Sequence, residues 1–355
     1  METLSMSAQS KPHLRLDHLA IWAEEIEESS KFLTDIVGWK RHPMEFGVSP
    51  EDATTGGMEG VFFDANGFWI ELILPTSPGP GMDILNEKGA GTIVEINFEP
   101  ADYDATIADM NAKGITMEAM DGSPLGDDRG TIKEGVSDDG KIDEQGQRIA
   151  YWPADLTGGS TVEIYDMDHD DEKALLVIRD KMWKEEAGQA TGPRPSHVAI
   201  FVKDLERTAS FYTDVMGLKR HPMKIEINAD ANAEIGGMEM TFIDANGIWL
   251  ELVQPVGPGP IMDTLNAKGD GYLAEFVVEV DDMDKYFDEM KAKGVHMENA
   301  DGTPIAEGKK GFVVEPYGIK AAYFPKDVSR GMTIEVVQRG PKDTCLLHAL
   351  DRDME

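Results

Sequence analysis

Eight ionisable residues stand inside apolar runs, and their spacing repeats along the chain. His18 lies in "LDHLAI", Glu71 in "WIELIL", Glu95 in "IVEINF" and Glu163 in "STVEIYD". Farther on, His197 lies in "SHVAI", Glu251 in "WLELVQ", Glu275 in "LAEFVV" and Glu335 in "MTIEVVQ". In an extended strand alternate residues share a face. Glu71 therefore shares one with Trp69 and Ile73, not with a polar row. A carboxylate on such a face is costly to bury and stays neutral unless it finds a partner. If four strands curl until these faces converge, one imidazole and three carboxylates meet, and a divalent cation between them relieves the repulsion. One His with three Glu suits an oxygen-preferring or borderline ion. A single Glu in a strand is ordinarily solvent-facing, and a single His ordinarily a packed residue. The joint pattern, filled by the same types twice, is what points to metal chemistry.

The elements that must position these residues are written in the repeat. Residues 63–91, FDANGFWIELILPTSPGPGMDILNEKGAG, return at 243–271 as IDANGIWLELVQPVGPGPIMDTLNAKGDG. "GWKRHPM" at 38–44 returns as "GLKRHPM" at 217–223. Self-similarity of this kind marks repeated structural units. It divides the chain into halves at 14–168 and 194–340, with a charged helix and Gly/Pro linker over 169–193 and a tail over 341–355. Each half divides again. A strand at Leu16–Ala23 precedes a helix carrying Ile26, Phe32, Leu33, Ile36 and Val37, which Gly38 ends. Strands are expected near 58–64 and 67–74. The next unit offers a strand at 92–98, a helix over 101–113 closed by "AKG", and strands at 148–152 and 160–165. The last unit repeats this with a strand at 272–280, a helix at 282–293 and strands at 311–315, 320–324 and 331–337. The unit is βαβββ, used four times. Its last strands are joined too closely for crossover helices, which predicts an α+β fold with mixed, mostly antiparallel sheets.

Composition narrows the function classes. The chain has 355 residues and a net charge of −34, from 67 acids against 33 bases. That field repels nucleic acid and anionic membranes, so neither is expected as a partner. No apolar run approaches the roughly 18 residues of a membrane span. The first dozen residues lack an apolar signal core, and the one cysteine, Cys345, permits no intrachain disulfide. A cytoplasmic protein is the expectation, with Cys345 an incidental thiol.

The motif set resembles the vicinal oxygen chelate superfamily, in particular its glyoxalase I and methylmalonyl-CoA epimerase branch, in a tandem form. "LDHLAI" opens a unit, "WIELILP" closes it, "GPG…LNEKGAG" bridges to the next, and "TGGSTVEI" ends the half. The resemblance covers about 14–340. It implies that two βαβββ modules pair into a cupped sheet around one metal ion. The ligand positions map onto His18, Glu71, Glu95 and Glu163, and onto His197, Glu251, Glu275 and Glu335. The epimerase and glyoxalase pattern offers His where Glu95 and Glu275 stand. With a divalent ion, three carboxylates leave the site at about −1. That tilts the expectation toward Mn, Fe, Co, Ni or Mg, with Zn open.

The chemistry implied is chelation of a small molecule through two neighbouring oxygens. Polarising a carbonyl acidifies the adjacent C–H, and a carboxylate removes the proton. The resemblance implies an epimerase or isomerase with Glu163, Glu335, Glu71 or Glu251 as base, ligand and base not being separable by sequence. Glu45 is a further candidate base, in the first half alone, because Lys224 replaces it in the second. Suitable substrates are a hydroxyketone or cyclitol such as 2-epi-5-epi-valiolone, or an acyl-CoA; the protein is expected to be a monomer or homodimer. The rivals are an extradiol dioxygenase, which needs two His per site, and a non-catalytic binding or resistance protein. His42 and His221 in "KRHPM" either reach a substrate from the rim or finish a helix–strand turn with Pro43 and Pro222. The "SPGPGMD" and "GPGPIMD" stretches read as flexible bridges between units, and Trp69 and Trp249 as cup walls.

Overall fold

The computed structural model describes residues 14–50, 56–126, 130, 147–167, 174–186, 192–228, 236–314, 319–340 and 350. The N-terminal lead-in, Cys345 and nearly all of the 341–355 tail lie outside them. The first half supplies strands β1 (Leu14–Trp22), β2 (Lys40–Val48), β3 (Met58–Asp64), β4 (Trp69–Pro75), β5 (Ile93–Pro100), β6 (Ile149–Tyr151) and β7 (Val162–Tyr165). They form one seven-stranded sheet in the order β2-β3-β4-β1-β5-β7-β6. The second half supplies β8 (Arg194–Phe201), β9 (Lys219–Ile227), β10 (Met238–Asp244), β11 (Trp249–Pro255), β12 (Tyr272–Glu279), β13 (Phe312–Val314), β14 (Ile319–Tyr323) and β15 (Ile334–Gln338). These form a sheet in the order β13-β14-β15-β12-β8-β11-β10-β9. Both sheets are mixed: β1 runs parallel to β4 and β5 to β7, whereas β1 and β5 are antiparallel. The expected α+β architecture is present.

Helices α1 (Ile26–Lys31), α2 (Pro80–Lys88), α3 (Tyr103–Ala112), α4 (Ala154–Thr157), α5 (Leu175–Glu186), α6 (Leu205–Ser210), α7 (Pro260–Lys268) and α8 (Met283–Ala292) fill the connections. None is long and apolar enough to cross a membrane among the described residues. Local chemistry sets their ends. Asp102 caps α3 by accepting from the Ala105 N–H at 2.8 Å, and Asp282 caps α8 in the same way. After α1 the backbone widens into a π-helical turn over Phe32–Val37, which Gly38 stops at φ 93°.

Two expectations are corrected. Residues 40–48 form a full strand, so His42 lies inside β2 rather than at a turn. Pro43 is tolerated there because the register between β2 and β3 shifts between Arg41 and Glu45. The bridges that read as flexible loops carry α2 and α7, each opened by a proline in its first turn, where a missing N–H is harmless.

Period two divides each sheet into two apolar faces. On β1, Leu19 and Ile21 join a core shared with the helices and with the second half, whereas Ala20 and Trp22 join a separate cluster on the opposite face. The shared core crosses between halves: Phe32 meets Phe324 with ring centres 5.2 Å apart, and Trp152 meets Phe211 at 6.0 Å.

The contacts between halves are reciprocal, as a two-fold relation requires. In each "DANG" turn the Asn adopts φ 61°, a left-handed conformation this residue tolerates. Asn66 Nδ2 then donates to Gly192 O at 2.8 Å, and Asn246 Nδ2 to Leu14 O at 2.5 Å, each reaching the first strand of the opposite half or the residues just before it. Lys113 Nζ donates to Val215 O and Lys293 Nζ to Ile36 O, both at 2.7 Å. Gly91 packs on Gly331, and Gly271 on Gly159 and Ser160.

A Cβ on Gly91 would lie 2.1 Å from Gly331 C and 2.2 Å from Met332 N, at φ +78°. Both obstacles are main chain. Gly91→Val is expected to lower unfolding stability by about 3 kcal/mol or more. Gly89→Ala is the control. It has φ +87° but nothing within 4 Å, so it should cost about 1 kcal/mol. Urea denaturation of both variants checks the ordering; equal losses would contradict the proposed close approach.

Candidate metal centres

Four adjacent strands at the middle of each sheet carry the residues singled out by sequence. In the first sheet these are β4, β1, β5 and β7. Ala20 pairs with Glu71 on one side and Glu95 on the other, while His18 pairs with Trp69 and Asn97, and Asn97 pairs with Glu163. His18 is thus flanked diagonally by Glu71 and Glu95. The second sheet repeats the pattern around Ala199, with Glu251 and Glu275 on either side, and Glu335 paired with Val277.

In the first cup all four groups are buried. With Phe46, Tyr151 and others they line a cavity of about 50 Å³. His18 Nε2 lies 3.5 Å from Glu71 Oε2. The other ring nitrogen, Nδ1, is 2.8 Å from Asp17 Oδ2. Burial opposes protonation of His18, but Asp17 and Glu71 outweigh it and raise the imidazole above its ordinary value. Asp17 behaves in the opposite sense. Burial alone would raise it, yet Arg179 and His18 hold its carboxyl far below the usual range. Glu95 is pushed up to about 7 by burial and by the charge of Glu71.

In the second cup His197 Nε2 lies 3.4 Å from Glu251 Oε2. Burial raises both Glu275 and Glu335, and neighbouring carboxylates add to it. Tyr323 hydrogen-bonds with both acids.

Among the described residues no three His, Cys, Asp or Glu side chains are already drawn into a ligand cluster. The chemistry of the donor set nevertheless fits a divalent ion. Glu95 Oε2 and Glu275 Oε2 are buried without a hydrogen-bond partner. A divalent cation would supply both the missing partner and the missing charge.

Helix α5 covers the first cup. Leu175 and Leu176 line the cavity, and Trp183 packs on Trp69 with ring centres 5.0 Å apart. His42 serves this contact. Its Nδ1 accepts from the Met44 N–H at 2.9 Å and its Nε2 donates to Arg179 O at 3.1 Å. Burial lowers it to about 4, which keeps the ring neutral in that tautomer. His221 accepts from the Met223 N–H in the same way and packs on Trp249.

Glu45 does not join the site. On β2 the inward positions are His42, Met44 and Phe46, so Glu45 points outward, 69% exposed, and pairs with Arg41 at 2.7 Å. The assignment as a base is corrected by the period-two alternation of its own strand. Sequence reasoning also missed Tyr151 and Tyr323, which hydrogen-bond with Glu95 and Glu275. Their signal was available: "AYWP" and "AYFP" place a Tyr at matching positions in the two halves.

Comparison with known proteins identifies the family. The profile of the "Glyoxalase/Bleomycin resistance protein/Dioxygenase superfamily" matches residues 15–140 and again 194–323. The chain belongs to that superfamily, in tandem form. Mouse mitochondrial methylmalonyl-CoA epimerase is 27% identical over 124 residues, covering 35% of this chain and 66% of that protein. The human mitochondrial enzyme is 25% identical over 148 residues, covering 40% and 80%. A triple mutant of 4-hydroxymandelate synthase from Streptomyces coelicolor superposes over 97% of this chain and 100% of its own, with TM-score 0.62 and 17% identity. At that identity the likeness establishes the fold alone.

The raised Glu95 gives a signed pH prediction. Its folded value of about 7 exceeds its ordinary 4.5, so the metal-free fold holds this proton more tightly than the unfolded chain does. Stability from that group is fully present below about pH 4.5 and is lost as pH rises through about 7. Wild type should lose up to about 3 kcal/mol relative to Glu95→Gln over that window, and a saturating divalent cation should restore it. Parallel thermal-melt profiles for the two proteins would refute the assignment.

Proposed function

We propose that the chain is a divalent-metal-dependent epimerase or isomerase that removes a proton beside a carbonyl of a small substrate bound through neighbouring oxygens. The observation that carries this reading is the placement, in each half, of one His and three Glu on four adjacent strands. His18, Glu71, Glu95 and Glu163 would hold the ion in the first half, and His197, Glu251, Glu275 and Glu335 in the second. The ion, once bound, would polarise the substrate carbonyl and acidify its neighbouring C–H.

The chain's own residues supply the rest. Glu163 or Glu71, and Glu335 or Glu251, are carboxylates able to take the proton at a strand position facing the substrate. Tyr151 and Tyr323 hold Glu95 and Glu275 by hydrogen bonds. Phe46 and Ile73 give the first cavity apolar walls that exclude water. The methylmalonyl-CoA epimerases among the relatives support inversion beside a carbonyl, and make acyl-CoA compounds and cyclitol-type hydroxyketones the first substrates to test. Each set of four holds one His, which disfavours an extradiol dioxygenase site.

Metal analysis of the purified protein should find two ions per chain. In deuterated water the protein should wash label into one member of a panel of acyl-CoA compounds and hydroxyketones. Glu163→Gln together with Glu335→Gln should slow that exchange by about 10²–10⁴-fold. Oxygen uptake with catechols would replace this reading by the dioxygenase. Tight ligand binding with neither metal nor exchange would replace it by a binding protein.

A further inference from the structure

The halves repeat their ligand residues but not the groups behind them. In the first cup Asp17 is 2% exposed and its Oδ2 lies 2.8 Å from His18 Nδ1 and 2.9 Å from Arg179 Nη1. Arg179 comes from α5 and is fully buried. Its guanidinium lies 4.8 Å from the Trp69 ring centre and 2.8 Å from Asp180. One ion pair thus joins the histidine to the covering helix.

In the second cup Ser196 stands where Asp17 does, with Oγ 3.0 Å from His197 Nδ1. Among the described residues of the second half no arginine is buried, whereas Arg179 is buried in the first. Leu350 is 2% exposed and packs into the apolar cluster of that cup. The acid is therefore replaced by an uncharged residue, and among the described residues of the second half no buried arginine stands with it. Removing one member of a buried ion pair strands the other, which explains why the two differ together. A carboxylate on the far nitrogen of a ligating imidazole fixes the ring and strengthens it as a donor; loss of such a partner typically weakens metal binding about 10–100-fold. A serine hydroxyl carries no such charge.

We propose that Asp17 and Arg179 are the positioning pair of the first centre, docking α5 on the cup and making that centre the tighter of the two for a divalent cation. This rests on the metal-centre reading above. Metal-stripped protein titrated calorimetrically with Mn²⁺ alone should show two classes of site. His18→Ala should abolish the tighter class and His197→Ala the weaker. Asp17→Asn with Arg179→Met removes both members of the buried pair, and Asp180, which also pairs with Arg179, keeps access to solvent through its 27%-exposed side chain. The double variant should weaken the tighter class about 10–100-fold and leave the other unchanged. Arg179→Lys, which keeps the charge, should recover most of that affinity. A purely structural pair would instead lower the melting temperature without separating the classes. Ser196→Asp puts a carboxylate on His197 Nδ1 and should tighten the second site, which decides the matter if the double variant does not fold. No Mn²⁺ bound at either site would overturn the metal-centre reading itself. Two equal sites in the wild type, or unchanged affinity in the folded double variant, would overturn this inference and leave that reading standing.

Discussion

Three carboxylates and an imidazole on one apolar sheet face form the constraint on which each half is organised. Ionised acids at that depth repel one another and have lost their water. The structure answers with local devices. Glu95 retains its proton to about 7, Tyr151 hydrogen-bonds to it, and Asp17 balances the raised charge on His18. None of these gives Glu95 Oε2 a partner. Strand order matters because of this constraint. Placing β4, β1, β5 and β7 side by side brings together residues separated by well over one hundred positions in the chain. A different order would leave each acid to be solvated or neutralised alone.

The second organising feature is the reciprocal clamp between halves. Asn66 and Asn246 each reach across to the start of the opposite half, and Lys113 and Lys293 exchange matching contacts. This interface faces away from both cups. The cup faces can therefore differ without disturbing the packing that holds the halves together. They do differ: Asp17 and Arg179 belong to one cup, Ser196 and Leu350 to the other. The helix over the first cup is also part of the segment that joins the halves, so its docking links His18 to the connection between them.

Much of this was legible in the sequence because the repeat supplied an internal comparison. Period-two patterning placed Glu71 on the face of Trp69 and Ile73, and the same face carries the first cavity. What escaped depended on long-range contact. Strand β2 was hidden by Pro43, whose usual meaning is a turn; only the register shift against β3 shows why a strand tolerates it. Glu45 looked distinctive because Lys224 replaces it, but a difference between halves does not say which side of the strand a residue faces. Helix α2 was masked by its Gly and Pro content, which reads as loop unless the proline falls in the first turn.

The sequence by itself determined the tandem α+β plan, the superfamily resemblance and the eight strand positions, because alternation and duplication are local, countable properties. Only the tertiary structure decided which strands are neighbours, that α5 covers the first cup, and that Arg179 reaches Asp17. Those depend on pairing between distant segments and on burial, and a buried Arg reads in sequence like any of the solvated charges of a highly charged chain. Its partner becomes visible once the helix that carries it is folded onto the sheet.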